Sequence, residues 1–160
     1  MKTKRTILLI LILILCAIIF FFSNQPADKS SNTSGGFIKF ILEINPFTAK
    51  LEEIEKLELQ ENLSYIVRKG AHFSIYTVLG LLLMTYVNTY NISVKEKVLI
   101  SFIAGTLYAI TDEVHQYFVP GRSCEFKDVC IDGSGILFGI IFVSSIVINK
   151  IKKRGKTNEC

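Results

Sequence analysis

Four long apolar runs divide the chain. The first covers about residues 7–23, and the others cover about residues 69–88, 94–117 and 128–149. Each approaches the roughly 20 apolar residues that an α-helix needs to cross a hydrocarbon core about 30 Å thick. The pattern therefore predicts an all-α integral membrane protein, with four transmembrane helices forming a single domain over residues 1–160.

The first run also has features of a secretory signal peptide, because basic residues precede it. It is long for the apolar region of a signal peptide, however, and the residues that follow lack a small-x-small cleavage site. We therefore interpret the run as an uncleaved first transmembrane helix.

Residues 24–67 form a predicted outer loop with weaker patterns. Asp28 to Gly36 is rich in Ser, Asn and Gly and predicts irregular structure. Residues 37–44 have apolar side chains at helical spacing over too short a length to cross a membrane, which favours a helix in the interface plane. A second short amphipathic helix is predicted from a cap at Thr48 to about Glu61.

Local signals mark one helix start and one site of close packing. Ser93 and Glu96 have the spacing of a capping box, which predicts that the third span begins directly after Ser93. Gly135 and Gly139 form a G-x-x-x-G pair on the fourth span, and Gly80 on the second is a candidate counterpart. Small residues at this spacing permit close approach of two membrane helices.

Composition and charge agree with a membrane protein. Half of the residues are hydrophobic and 20% are charged, which is too apolar for an ordinary soluble domain. The net charge of +4 does not predict a nucleic-acid partner, because no aromatic and basic motif accompanies it. The positive-inside rule instead predicts a multi-pass plasma-membrane protein with cytoplasmic N- and C-termini. Its inner segments then hold Lys2, Lys4, Arg5, Lys95, Lys97, Lys150, Lys152, Lys153, Arg154 and Lys156, against Glu96 and Glu159.

The four cysteines form no metal-binding pattern. No C-x-x-C pair is present, which excludes a cysteine zinc site. Cys124 and Cys130 fall in the same predicted compartment, and the sequence leaves open whether they form a disulfide.

Ionisable and polar side chains collect where three of the predicted helices meet the outer face. Such residues are expensive inside a membrane and mark functional or paired positions there. Candidates for catalysis are Asp112, His115 and His72. Candidates for ligand binding are Arg68, Tyr76, Glu113, Gln116, Arg122, Asp128 and Asp132.

Several roles remain open for these residues. One is a buried network of ion pairs and hydrogen bonds that fixes helix packing. Another is a pocket in which arginines hold a phosphate or carboxylate of an amphiphile. A carboxylate paired with His115 is also suited to general base catalysis. Asp112-x-x-His115 has a spacing found at metal sites in helix bundles, with His72 and Asp128 or Asp132 as further donors, but we assign no metal ligand and no cofactor.

Three sequence blocks resemble the VanZ-like family of small bacterial membrane proteins. They are FS-x-QP at residues 22–26, RK-x-AHF at residues 68–73 and DE-x-HQ-x-F-x-PGR at residues 112–122. The resemblance continues through the aspartates and glycines of the fourth span. Ile75 departs from it, because family members often carry an acidic residue there. The resemblance implies an envelope protein associated with resistance to the glycopeptide teicoplanin.

The leading prediction is an outer polar pocket that binds an envelope component. Expected partners are membrane lipids together with a lipid-linked cell-wall precursor or a lipoglycopeptide. The rival predictions are a membrane-embedded hydrolase or transferase acting on a lipid headgroup, and a structural partner in a membrane complex. Whether the chain is an enzyme, and its oligomeric state, stay open.

Overall fold

The protein is all-α, as the apolar pattern predicts. The computed structural model describes residues 2–45, 48 and 52–157, and these contain helices but no strand. In chain order the helices are α1 (Lys2–Ser23), α2 (Ala27–Ile44), α3 (Glu53–Val87), α4 (Val94–Gln116) and α5 (Phe126–Thr157).

Four of these helices have the length and apolar character of membrane spans. They are α1, α3, α4 and the Phe126–Asn149 part of α5. Large apolar side chains point outward along them, including Ile10, Leu13, Phe21, Ile103, Leu107, Phe138 and Ile141. An outward apolar surface of this extent is suited to contact with lipid tails. The four-span architecture is confirmed.

The segment before the second span differs from the prediction. The residues predicted to form a separate short helix up to Glu61 are instead the start of α3, which continues for 35 residues from Glu53 to Val87. No proline interrupts this stretch, so nothing in its sequence requires the helix to end at Glu61. Its cap is Glu52, in a capping box with Glu55, and not Thr48. The Thr48 hydroxyl donates to the backbone oxygen of Leu42 instead, at 2.7 Å.

Helix α2 includes residues predicted to be irregular. Its range, Ala27–Ile44, covers the Ser, Asn and Gly segment as well as the predicted short amphipathic helix. It packs against α3 through the buried side chains of Ile38 and Leu42, whereas Phe40 and Ile44 are exposed. Packing against a neighbouring helix compensates for the low helix propensity of such a composition.

The ends of the bundle differ in chemistry. One end, which we call the lysine-rich end, holds Lys2 and Lys4 at the start of α1 and Lys95 and Lys97 at the start of α4. There Arg5 of α1 donates to the backbone oxygen of Thr89 at 2.7 Å. There Ser93 caps α4, and the predicted capping box with Glu96 is confirmed. At the other end, α1 and α4 finish and α5 begins. We call it the cluster end, because the polar side chains described in the next subsection lie there. The turn between α4 and α5 contains Gly121 with a φ of 75°, a conformation that favours glycine.

The most extensive helix contact joins α3 and α5. A Cβ atom added at Gly80 would lie 2.3 Å from the backbone oxygen of Ile136. One added at Gly139 would lie 2.3 Å from the backbone oxygen of Thr77, and one at Gly135 would meet the backbone of Phe73 at 2.5 Å. The predicted close packing of these glycines is therefore confirmed, and it places the cluster end of α5 directly against α3.

Replacing Gly139 with alanine is expected to lower the free energy of unfolding by about 1–3 kcal/mol, because the new methyl group overlaps backbone that cannot rotate away. Gly133→Ala is the matched control on the same helix, where an added Cβ meets nothing within 4 Å. Thermal denaturation in one detergent measures both variants. Equal melting temperatures for Gly139→Ala and wild type would contradict the packing described above.

Candidate functional site

The buried carboxylate of Asp112 connects three helices at the cluster end. Its Oδ2 atom accepts hydrogen bonds from the hydroxyl of Ser23 at 2.8 Å, the hydroxyl of Tyr76 at 3.0 Å and the side-chain amide of Gln116 at 3.2 Å. Ser23 ends α1, Tyr76 lies on α3 and Gln116 ends α4. The Oδ1 atom is buried and accepts no hydrogen bond within the described part of the chain.

Asp132 and His72 lie beside Asp112. The Asp132 side chain is fully buried, and neither carboxylate oxygen has a hydrogen bond among the described residues. His72 Nδ1 is 3.6 Å from Asp132 Oδ1. One nitrogen or oxygen atom from each of His72, Asp112 and Asp132 lies within 4.8 Å of the other two. We call these three residues the carboxylate cluster.

The turn after α4 adds a positive charge. Arg122 Nε donates to the backbone oxygen of Gln25 at 2.9 Å, and Nη1 donates to Gln116 Oε1 at 2.9 Å. Gln116 therefore connects Arg122 to Asp112. Burial lowers the pKa of the Arg122 guanidinium from its ordinary value, and the positive charge of Arg68 lowers this pKa further.

Two cavities open beside the carboxylate cluster. The polar cavity has a volume of about 190 Å³, and its ionisable lining residues include Arg68, Lys69, His72, Arg122, Glu125, Asp128 and Asp132. The apolar cavity has a volume of about 270 Å³ and is lined by Ile19, Phe22, Ser23, Gln25, Arg68, Ala71, His72, Ile75 and Arg122. Both cavities share Arg68, His72 and Arg122.

The structure gives the predicted site residues two different placements. Arg68, His72, Arg122, Asp128 and Asp132 line the polar cavity, and Asp128 forms an ion pair there with Lys69. The predicted ligand-binding residues Tyr76, Glu113 and Gln116, together with Asp112, are buried and do not line either cavity.

Glu113 is not one of the three residues of the carboxylate cluster. Its Oε2 atom accepts a hydrogen bond from the backbone nitrogen of Glu125 at 3.3 Å. Its Oε1 atom is buried and has no hydrogen bond within the described ranges. Glu113 thus connects the end of α4 to the start of α5.

His115 also lies apart from the carboxylate cluster. Its ring packs against Phe20 of α1, with 4.5 Å between the ring centroids. Its Nε2 atom is buried and has no hydrogen-bond partner among residues 2–45, 48 and 52–157. The donor group formed by His72, Asp112 and Asp132 does not include His115.

Several residues of the site were not among the sequence candidates, including Gln25 and Glu125 of the cavity linings. Ser23 donates to Asp112, and Lys69 pairs with Asp128. The FS-x-QP block includes Ser23 and the RK-x-AHF block includes Lys69, so both sequence blocks contained the signal. Cys124 and Cys130 are exposed free thiols near this end of the bundle, not a disulfide.

No curated protein and no solved structure gives a significant match to the chain. A family model described as VanZ/LLP1 matches residues 8–148. The match covers most of the chain, from α1 through the apolar part of α5, and includes every residue of the carboxylate cluster and of both cavities. The protein therefore belongs to the VanZ/LLP1 family.

Proposed function

We propose that the protein binds an anionic envelope amphiphile at the cluster end, with the headgroup in the polar cavity and part of the hydrocarbon chain in the apolar cavity. The observation that carries this proposal is the shared wall of Arg68, His72 and Arg122 between the two cavities. A charged cavity next to an apolar cavity is complementary to an amphiphile, which has a charged headgroup and an apolar tail.

Arg122 supplies the reason for an anionic headgroup. Within the described part of the chain its side chain donates only to neutral acceptors, namely Gln25 O, Gln116 Oε1 and Phe22 O. Its positive charge also lies close enough to that of Arg68 for the two to repel each other, and the carboxylates of Asp112, Glu113 and Asp128 offset part of that repulsion. A phosphate or carboxylate between the two guanidinium groups relieves that repulsion and accepts charge-assisted hydrogen bonds.

The second cavity supplies the reason for a hydrocarbon chain. Ile19 and Phe22 of α1 line one part of it, and Ala71 and Ile75 of α3 line another. Ile75 stands where the family resemblance implies an acidic residue. An apolar side chain at this position favours a lipid tail and disfavours a charged group.

The expected membrane orientation supports an outer source for the amphiphile. We infer from the positive-inside rule that the lysine-rich end faces the cytoplasm and the cluster end faces outward. A ligand at the cluster end then comes from the outer leaflet or the cell wall, which favours a lipid-linked cell-wall precursor or a lipoglycopeptide. Such binding is consistent with the family's link to glycopeptide resistance.

Replacing Arg122 with glutamine is expected to weaken binding of a fluorescent lipid-linked cell-wall precursor by about 10–100-fold, because hydrogen bonds to a charged group contribute about 1.5–3 kcal/mol. Protein in nanodiscs is titrated with the labelled lipid, and fluorescence anisotropy measures the Kd. The matched control is Arg5→Gln, the same substitution at the lysine-rich end, which is expected to leave the Kd unchanged.

Two results would contradict the proposal. One is the absence of saturable binding by folded wild-type protein. The other is an equal Kd for wild type and Arg122→Gln, since a headgroup in the polar cavity must contact Arg122. A neutral lipid with the same tail measures the contribution of the apolar cavity alone.

A further inference from the structure

We propose that His72, Asp112 and Asp132 form a binding site for a divalent metal ion, of the zinc or manganese type, between α3, α4 and α5. The three side chains come from separate helices and each offers one donor atom within 4.8 Å of the other two. One imidazole with two carboxylates is a donor set that suits zinc and manganese. The site is independent of whether an amphiphile binds beside it.

The charges of the carboxylate cluster are better balanced with a bound metal ion than without one. Asp112 and Asp132 are both buried among helices that have the character of membrane spans. Both carboxylates carry a negative charge when ionised, and Arg122 reaches Asp112 through Gln116 and not by direct contact. A divalent ion with neutral His72 balances both carboxylates, which removes the cost of an uncompensated buried charge.

Buried carboxylate oxygens without hydrogen bonds are the second observation in favour of a metal ion. Both oxygens of Asp132 and the Oδ1 atom of Asp112 are buried without a hydrogen bond in the described part of the chain. Buried polar atoms nearly always have a partner, so atoms without one require an explanation. Three such oxygens next to His72 are explained together by one ion.

The geometry requires modest side-chain movements. Zinc binds imidazole nitrogen and carboxylate oxygen at about 2.0–2.2 Å in a tetrahedral arrangement, so two of its ligand atoms are about 3.3–3.6 Å apart. Donor atoms that lie within 4.8 Å of one another therefore need to approach by about 1 Å, which side-chain rotation supplies. His72 and Asp132 also line the polar cavity, which provides an entry path and room for water to complete the coordination.

The neighbours of Asp112 are those expected around a metal ligand. Its Oδ2 atom is fixed by Ser23, Tyr76 and Gln116. Outer hydrogen bonds of this kind orient a ligating carboxylate and are a regular feature of metal sites. They fix one oxygen and leave Oδ1 available for the ion.

The test measures metal binding directly. Full-length protein in detergent, with any histidine tag removed and metals stripped by a chelator, is titrated separately with Zn²⁺ and with Mn²⁺ by calorimetry. Wild type is expected to bind about one equivalent of at least one of these ions. Asp132→Asn is expected to weaken that binding about 100-fold or more, because removing a direct ligand costs at least as much as removing an outer one.

Asp128→Asn is the matched control. Asp128 lies four residues before Asp132 on α5 and lines the same cavity, but it pairs with Lys69, so this variant is expected to keep the ion. Size-exclusion profiles and circular dichroism verify that each variant is folded. The proposal is overturned if folded wild type binds neither ion, or if Asp132→Asn binds as tightly as wild type. The second outcome would place the ion elsewhere, for example at the exposed thiols of Cys124 and Cys130.

Discussion

Replacing Asp112 with alanine is expected to lower the free energy of unfolding by about 3–5 kcal/mol, because each buried donor that loses its acceptor costs about 1–3 kcal/mol, and relief of the repulsion between Asp112 and Asp132 offsets part of that cost. The change leaves the donors of Ser23, Tyr76 and Gln116 without their shared acceptor. Because Ser23 ends α1 and Tyr76 lies on α3, the substitution removes hydrogen bonds that join these two helices to α4. Reversible denaturation in mixed micelles, with a chelator present to exclude any metal contribution, measures the change.

The control for this prediction is Asp112→Asn, which keeps an oxygen acceptor at nearly the same volume. It is expected to be clearly more stable than Asp112→Ala, because one amide oxygen still accepts from Ser23 and Tyr76. A loss below about 1 kcal/mol for Asp112→Ala would show that the hydrogen bonds at Oδ2 do not hold the helices together.

Much of the fold follows from the sequence because membrane spans are encoded locally. A long apolar run must be helical in lipid, where its backbone groups have no water to bond, and this fixed the identity of α1, α3, α4 and α5. The Ser93 cap is likewise a local signal. The continuity of α3 was not predictable from amphipathic periodicity. Its first part has an amphipathic sequence pattern and its second part an apolar one, and a change of pattern does not show whether the helical backbone ends or continues.

The sequence indicated where polar helix ends meet but not which side chains contact one another. Helix topology brings the polar ends of three spans together, and the structure places Arg68, His72, Arg122, Asp128 and Asp132 around one polar cavity. The contacts of His115 depend on rotation of α4 and on the position of Phe20 in α1. Spacing along one helix does not determine these, which is why Asp112-x-x-His115 resembled a donor pair that the structure does not form.

Cells that express Arg122→Gln are expected to lose all protection against teicoplanin. Under the proposed function, protection of a host against teicoplanin depends on an anionic ligand held at the cluster end, and Arg122→Gln removes a guanidinium that lines both cavities. The measurement is the inhibitory concentration of teicoplanin for hosts expressing wild type, Arg122→Gln and empty vector. Arg122→Gln is expected to match the empty vector.

Two controls make this result specific to the cluster end. Arg5→Gln changes an arginine that contacts Thr89 at the lysine-rich end, and it is expected to protect as wild type does. Cys124 is an exposed thiol near the cluster end, so a membrane-impermeant maleimide is expected to label it in intact cells if that end faces outward. Full protection by Arg122→Gln at wild-type membrane levels would separate glycopeptide resistance from the polar cavity. Failure of the maleimide to reach Cys124 until the membrane is opened would reverse the orientation, and with it the proposal that the ligand comes from the outer leaflet.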